Sequence, residues 1–218
     1  MMQTLSEENY LKAIYSLGYQ GSEKITPTSI AQHLNNNPAS VIDMLKKLGD
    51  KKLINYDKSK GARLTEKGTK TALDVVRKHR LWEVFLLEKL GYSWDEIHDM
   101  AEQLEHVHRS DLADRLDKFL GFPDYDPHGD PIPKANGQIA TTYRTMLCEI
   151  EPGKSCVVAA VKDTSPDFLQ YLQKLGIGIG VRLKVLEKIS FDGSMLILIG
   201  RDQKTSVSKK FAESVLVG

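Results

Sequence analysis

Between residues 6 and 19 apolar side chains recur at helical spacing. Leu11, Ile14, Tyr15 and Leu17 form one stripe, and Thr4 and Glu7 stand at the spacing of a capping box ahead of it. This predicts a first helix from about Ser6 to Tyr19, closed by Gly18 and Gly21. Ile25 to Leu34 follows, with Thr26 placed to cap and Pro27 at the first helical position. Asn35-Asn36-Asn37 then suits a tight turn, because asparagine tolerates left-handed backbone angles. Pro38 opens the next helix, whose inner stripe is Val41, Met44, Leu45 and Leu48. Two short helices on a tight turn predict a helix–turn–helix. Leu53 to Thr65 reads as two short β segments around a Lys/Gly-rich turn, a hairpin wing whose tip carries Lys58, Lys60 and Arg63.

Thr65 is placed to cap a long helix reaching about Leu90, with Ala72, Val75, Val76, Phe85, Leu86 and Leu90 along its apolar stripe. Further helices are expected over about Trp94–Arg109 and Asp111–Leu120. These helices are too few and too apolar to close into a monomeric bundle, so a dimer core built on Trp82, Phe85, Leu86 and Leu90 is expected. A proline-rich linker spans Gly121 to Gly137. Beyond it, β-branched runs at Cys156–Val161, Val181–Leu186, Met195–Ile199 and Ser214–Val217 surround one helical stretch, Pro166–Leu175. That alternation predicts a small β-barrel of SH3 type. The fold class is thus mainly α with a C-terminal β domain. A winged helix–turn–helix over 1–70 precedes a helical dimerisation domain with its linker over 71–140 and an SH3-like domain over 145–218.

Composition adds little: 218 residues, 41% hydrophobic and 27% charged, is ordinary for a globular chain. The first residues lack the basic and apolar regions of a signal peptide, and no apolar run is long enough for a bilayer. Cys148 and Cys156 make no CxxC pair, which fits a reduced, cytoplasmic setting and no membrane. Charge distribution changes the picture more. Ala39–Lys70 holds nine Lys/Arg against four Asp/Glu, suited to phosphates, whereas Asp95–Asp117 holds eight acidic residues against two arginines, suited to a cation. Double-stranded DNA is the expected partner of the first block. Ala39, Ser40 and Asp43 would face base edges, and Lys46, Lys47, Lys58, Lys60 and Arg63 the phosphates, with Pro27 and Thr28 beside them at the start of the preceding helix.

His79 and Glu83 interrupt an apolar stripe at i, i+4. His98, Glu102 and Glu105/His106 share one face of the following helix at i, i+4 and i+7/i+8. Imidazoles and carboxylates on facing helices are how helical proteins hold transition metals, and without a thiolate they suit Mn(II), Fe(II), Co(II) or Zn(II). An enzyme is the weaker reading. Glu105-x-x-His108 has the spacing of di-iron carboxylate bundles, but its only near match, Asp95-x-x-His98, lies on the same helix. No nucleophile has a convincing base, and no small-molecule substrate is expected.

The chain resembles the diphtheria toxin repressor family, in particular its manganese-responsive branch with a C-terminal SH3-like domain. The resemblance rests on Glu8-Asn9-Tyr10-Leu11-Lys12-Ala13-Ile14-Tyr15, Arg77-Lys78-His79-Arg80-Leu81 with Glu83, Glu102-x-x-Glu105-His106, and Pro127-His128-Gly129-Asp130-Pro131-Ile132-Pro133. It implies a metal-dependent repressor that binds operator DNA as a homodimer and controls metal-ion homeostasis genes. It implies a primary site of Asn9, His79, Glu102, Glu105 and His106, and an ancillary site of Glu83, His98, Asp126, His128 and Asp163. Asn9 stands where relatives commonly carry Asp or Met, and Glu102 where the iron-sensing branch carries Cys. The oxygen-rich set favours Mn(II) over Fe(II), with Zn(II) or Co(II) able to substitute in vitro. An iron-responsive repressor of the same family is the alternative.

Overall fold

A computed structural model describes residues 3–19 and 21–218. The chain divides into two units, one of Met1–His79, Glu102–Arg115 and Pro133–Gln138, the other of Arg80–Ala101, Leu116–Ile132 and Ile139–Gly218.

The first unit holds α1 (Leu5–Tyr19), α2 (Pro27–His33), α3 (Pro38–Asp50), the hairpin β1 (Ile54–Asp57) and β2 (Gly61–Leu64), and the start of α4 (Glu66–Leu90). The caps expected at Thr26 and Thr65 form: Thr26 closes a capping box with Ser29, and Thr65 Oγ1 accepts from the Gly68 amide at 3.1 Å; Asn37 adds a further cap, its Oδ1 accepting from the Ala39 amide at 2.8 Å. Asn35 takes the left-handed conformation, φ 50°, at the turn between α2 and α3. Leu11, Ile14, Ile30, Val41, Leu45, Leu48, Leu53, Ile54 and Ala72 form one core, which locks α1 to α2, α3 and the hairpin. The winged helix–turn–helix is present. Arg63 lies within β2 opposite Asn55 rather than at the tip, because the turn is only Lys58 to Lys60.

A buried carboxylate reinforces the α1–α3 contact. Glu7 is fully buried, and its Oε1 lies 2.7 Å from Lys51 Nζ and 2.9 Å from Lys47 Nζ. Burial alone would raise its pKa; the hydrogen bonds from Lys51 and Lys47 and the Thr4 contact outweigh that and hold it at about 2, below the ordinary 4.5. A depressed folded pKa stabilises the fold above the unfolded value, and that contribution is lost as pH falls from about 4.5 toward about 2. Glu7→Gln should therefore cost on the order of 1–2 kcal/mol at neutral pH. It should also flatten the acid limb of the stability curve; denaturant melts at pH 3 and pH 7 would show this.

In the second unit the sheet order is β3-β8-β4-β5-β6-β7, all antiparallel: β3 (Thr145–Met146), β4 (Ser155–Val161), β5 (Arg182–Lys188), β6 (Met195–Ile199), β7 (Gln203–Val207) and β8 (Val215–Val217). Register shifts at Val158/Ala160 and Val185/Glu187 bend the sheet. Val158, Ala160, Leu183, Val185 and Ile197 are buried, as are Leu169 and Leu172 of α7 (Pro166–Lys174) and Phe211 of α8 (Lys209–Ser214). This is the SH3-like β domain. Strand β7, helix α8 and the short β3 are additions to the elements expected from the sequence. The second unit also carries the end of α4, the start of α5 (Ile97–Leu104) and the second half of α6 (Leu112–Phe119). Of the expected apolar face, Leu86 is buried at 1% exposure, Trp82 and Phe85 are half-buried and Leu90 is exposed; Phe119 and Phe122 are exposed as well. No helix of the described residues is long and apolar enough to cross a membrane.

Candidate metal centre

Helix α5 ends at Leu104, five residues short of the expectation, and Glu105 and His106 lie in the turn after it. The turn is closed by the Val107 amide donating to Leu104 O at 3.2 Å. The single helical face expected for His98, Glu102 and Glu105/His106 is therefore not formed, and the residues sort into two clusters.

The first lies within the first unit. Glu105 is fully buried, and its Oε2 is 2.6 Å from His79 Nδ1 and 2.6 Å from Lys12 Nζ. Glu102 Oε1 is also 2.6 Å from Lys12 Nζ. The His106 residue is half-buried with its side chain 7% exposed, and its Nδ1 lies 2.7 Å from Glu8 Oε2, so the α1 carboxylate fixes the ring and directs Nε2 away from it. Among the described residues, Glu105 Oε1 and His106 Nε2 have no hydrogen-bond partner, and neither has the buried Asn9 Oδ1, next to Glu8 on α1. Glu105 Oε1 and His106 Nε2 are 3.5 Å apart. A buried polar atom left unsatisfied costs about 1–3 kcal/mol, and a bound cation removes that cost for several at once. The donors are one imidazole and oxygens, which fits a divalent first-row ion.

The second cluster lies within the second unit. Glu83, Asp126 and His128 are all buried and offer ligand atoms within 4.8 Å of one another. Glu83 Oε1 is 3.2 Å from His98 Nδ1 and its Oε2 is 3.5 Å from His128 Nδ1. Trp94 stacks on the His128 ring at 5.9 Å. Asp126 is built into a tight loop: its Oδ1 accepts from the amides of His128 (2.8 Å) and Asp130 (2.9 Å), and its Oδ2 is 3.4 Å from Arg80 Nε. Burial, together with Glu83 and Asp130, pushes its carboxyl up to about 7 against the pull of Arg80 and His128. Asp163 is not brought into this cluster. Its Oδ1 accepts from the Ser165 amide at 2.9 Å and its Oδ2 faces Lys210 at 4.0 Å.

Sequence reasoning missed Glu8, Lys12 and Arg80. Glu8 and Lys12 are one turn apart on α1, which reads as an ordinary exposed pair; nothing local marks their partners near residue 100.

On the DNA-reading head, Thr28, Ala39, Ser40, Asp43, Lys46, Lys47, Lys58, Lys60 and Arg63 are all exposed and Pro27 is half-buried. Lys46 pairs with Asp43 at 3.1 Å, and Lys47 is committed to Glu7. Lys58, Lys60 and Arg63 of the wing carry its positive charge.

A winged DNA-reading head, an SH3-like β domain and two buried clusters of imidazole and carboxylate donors define a metal-responsive DNA-binding regulator. Three family models match in order: the iron-dependent repressor N-terminal DNA-binding domain over residues 2–62, the iron-dependent repressor metal-binding and dimerisation domain over 65–134, and the FeoA domain over 145–218. The chain is 28% identical to the iron-dependent repressor IdeR of Mycobacterium leprae (strain TN), over 96% of this chain and 95% of that protein. It is 33% identical to the HTH-type transcriptional regulator MntR of Oceanobacillus iheyensis, over 56% of this chain and 81% of that one. A solved manganese-dependent transcriptional repressor in complex with manganese superposes with a TM-score of 0.88 at 34% identity, covering 97% of this chain and 98% of the other. The chain belongs to the diphtheria toxin repressor family of metal-dependent transcriptional repressors, which are regulators and not enzymes.

Proposed function

We propose that this chain is a Mn(II)-activated repressor that acts in the cytoplasm on operator DNA as a homodimer, controlling metal-ion homeostasis genes. The three buried donors Asn9 Oδ1, Glu105 Oε1 and His106 Nε2, which have no hydrogen-bond partner among the described residues, carry the reading. With Glu102 they form the activating site; His79, engaged through Nδ1 with Glu105 Oε2, orients that carboxylate. Glu83, Asp126 and His128, with His98 on Glu83, form the ancillary site. The donors are oxygens and imidazole with no thiolate, which supports Mn(II); an iron-responsive repressor is the second reading, favoured by the iron-dependent relatives. Residues 1–70 read DNA, 71–140 hold the metal sites and dimerise through the exposed apolar group at Leu90, Phe119 and Phe122, and 145–218 form the SH3-like domain.

The bound ion supplies a charge that ties α1 to the turn after α5. Because α1 shares its core with α3, and Glu7 binds α3 through Lys47 and Lys51, fixing α1 fixes the recognition helix. A coupling of this kind is worth about 1–3 kcal/mol, or roughly 5–150-fold in DNA affinity. The test is binding to a DNA fragment selected by the protein itself, titrated with Mn(II) and, separately, anaerobic Fe(II). Equal binding in a chelator would sink the reading, and activation by Fe(II) alone would move it to iron. In the same assay, replacing Lys60 and Arg63 with alanine should weaken binding across all sequences and lower the slope of log affinity against log salt by about 2.

A further inference from the structure

The donor atoms of His79, Glu102 and Glu105 lie within 4.8 Å of one another, which is the geometry of a cation site, and a cation already fills it. Lys12 Nζ lies 2.6 Å from Glu102 Oε1, 2.6 Å from Glu105 Oε2 and 3.1 Å from His79 Nδ1. Two of the ammonium's N–H donors go to the carboxylates, and His79 Nδ1 borders it; that nitrogen either accepts from Lys12 or donates to Glu105 Oε2, according to its tautomer. The Lys12 side chain is only 15% exposed and Glu105 not at all, so this is no solvated surface pair. It is delivered by α1, the helix that also carries Glu8 and Asn9.

The ammonium splits the cluster. Glu105 Oε2 is taken by Lys12 and His79, whereas Glu105 Oε1, His106 Nε2 and Asn9 Oδ1 have no hydrogen-bond partner among the described residues. Charge points the same way. Three carboxylates (Glu8, Glu102 and Glu105) and one ammonium leave two negative charges, which one divalent ion matches. Without the ammonium there would be three, together with a vacated pocket sharing Glu105 with the first ion.

We propose that Lys12 is a resident cation that closes the pocket between His79 Nδ1, Glu102 Oε1 and Glu105 Oε2 to a second metal ion, so that the activating centre takes one divalent ion where the same donors without it would take two. The proposal rests on reading the cluster as a metal centre, and it makes Lys12 a determinant of stoichiometry rather than a ligand.

The experiment is equilibrium dialysis of the full chain against Mn(II), with electron paramagnetic resonance on the loaded protein, for wild type, Lys12→Gln, Lys12→Met and Lys12→Arg. Lys12→Gln and Lys12→Met should each bind one more Mn(II) per chain than wild type. The added ion should show exchange coupling to its neighbour, since carboxylate-bridged pairs sit about 3.5–4 Å apart. Lys12→Arg keeps the charge and should keep the wild-type count and an uncoupled spectrum. The proposal is overturned if the Gln and Met variants, folded by circular dichroism, bind no more ions than wild type, or if they bind fewer. It is equally overturned if wild type already shows a coupled pair, or if Lys12→Arg gains an ion. Failure of the underlying metal-centre reading would look different: His106→Ala would leave the wild-type Mn(II) count unchanged.

Discussion

Glu105→Gln should abolish metal-stimulated DNA binding while leaving the apo DNA-reading head folded. Glu105 is fully buried and serves two sets of partners: Oε2 accepts from Lys12 and lies against His79, and Oε1 is one of the unpartnered donors offered to the ion. The amide keeps the size of the group and an oxygen for Lys12, so packing changes little. What is lost is a negative charge in contact with a divalent cation in a water-poor site. Losing a supporting residue around a metal typically costs 10–100-fold in affinity, and losing a charged ligand should exceed this, weakening Mn(II) binding by at least about 100-fold. The roughly 5–150-fold metal-induced gain in DNA affinity should vanish at Mn(II) concentrations that saturate wild type. Glu8→Gln is the graded control. Glu8 touches no proposed donor atom of the ion but fixes His106 through Nδ1, so its loss should fall within the 10–100-fold range. Calorimetric Mn(II) titration beside anisotropy on labelled DNA measures both steps. A full metal response in Glu105→Gln would show that the activating ion binds elsewhere.

The contrast between Glu105 and Glu8 also shows how far the sequence could be read. Elements with strong local signals were legible: the α1 stripe, the Thr26 and Thr65 caps, and Asn35 at the left-handed turn. Where no local signal exists, the reading overran or fell short. Nothing like glycine or proline marks the end of α5 at Leu104, because the stop is enforced by tertiary partners: Glu105 held by Lys12 and His79, His106 by Glu8. Strand β7 is polar, with only Val207 of Gln203–Val207 buried, and forms because β6 offers it an edge. His79, Glu83, Glu102 and His106 were visible as polar residues at helical spacing. Asp163 was carried over by position alone, and its turn directs it to Ser165 and Lys210 instead. Lys12 was invisible as chemistry, because a lysine one turn after a glutamate is the commonest of surface patterns.

Gly129→Ala should lower stability markedly and empty the ancillary cluster while sparing the activating one. Gly129 sits at φ +90° in the loop that presents Asp126 and His128. A Cβ there would stand 2.1 Å from Ala159 O and 2.7 Å from Ala160 Cα, both backbone atoms of β4 that no rotamer change can move aside. The loop cannot retreat either. His128 O accepts from the Val161 amide at 3.0 Å, the Gly129 amide donates to Asp126 O at 3.0 Å, and the Arg144 guanidinium donates to Gly129 O. Left-handed strain of about 1–3 kcal/mol and overpacking of about 1–3 kcal/mol should therefore add, for a loss on the order of 2–5 kcal/mol. For a chain of this length that is a drop in melting temperature of roughly 5–15 °C. Because the SH3-like strand β4 holds the ligand loop through its backbone, the same substitution should reduce Mn(II) bound per chain by the ancillary ion alone. Glu8, Asn9, Lys12, Glu105 and His106 belong to the other unit and make none of these contacts, so the activating ion should remain. Scanning calorimetry and dialysis on one preparation decide it. Wild-type melting with a full Mn(II) count would mean that the loop moves freely from β4, and that the β domain plays no part in positioning Asp126 and His128.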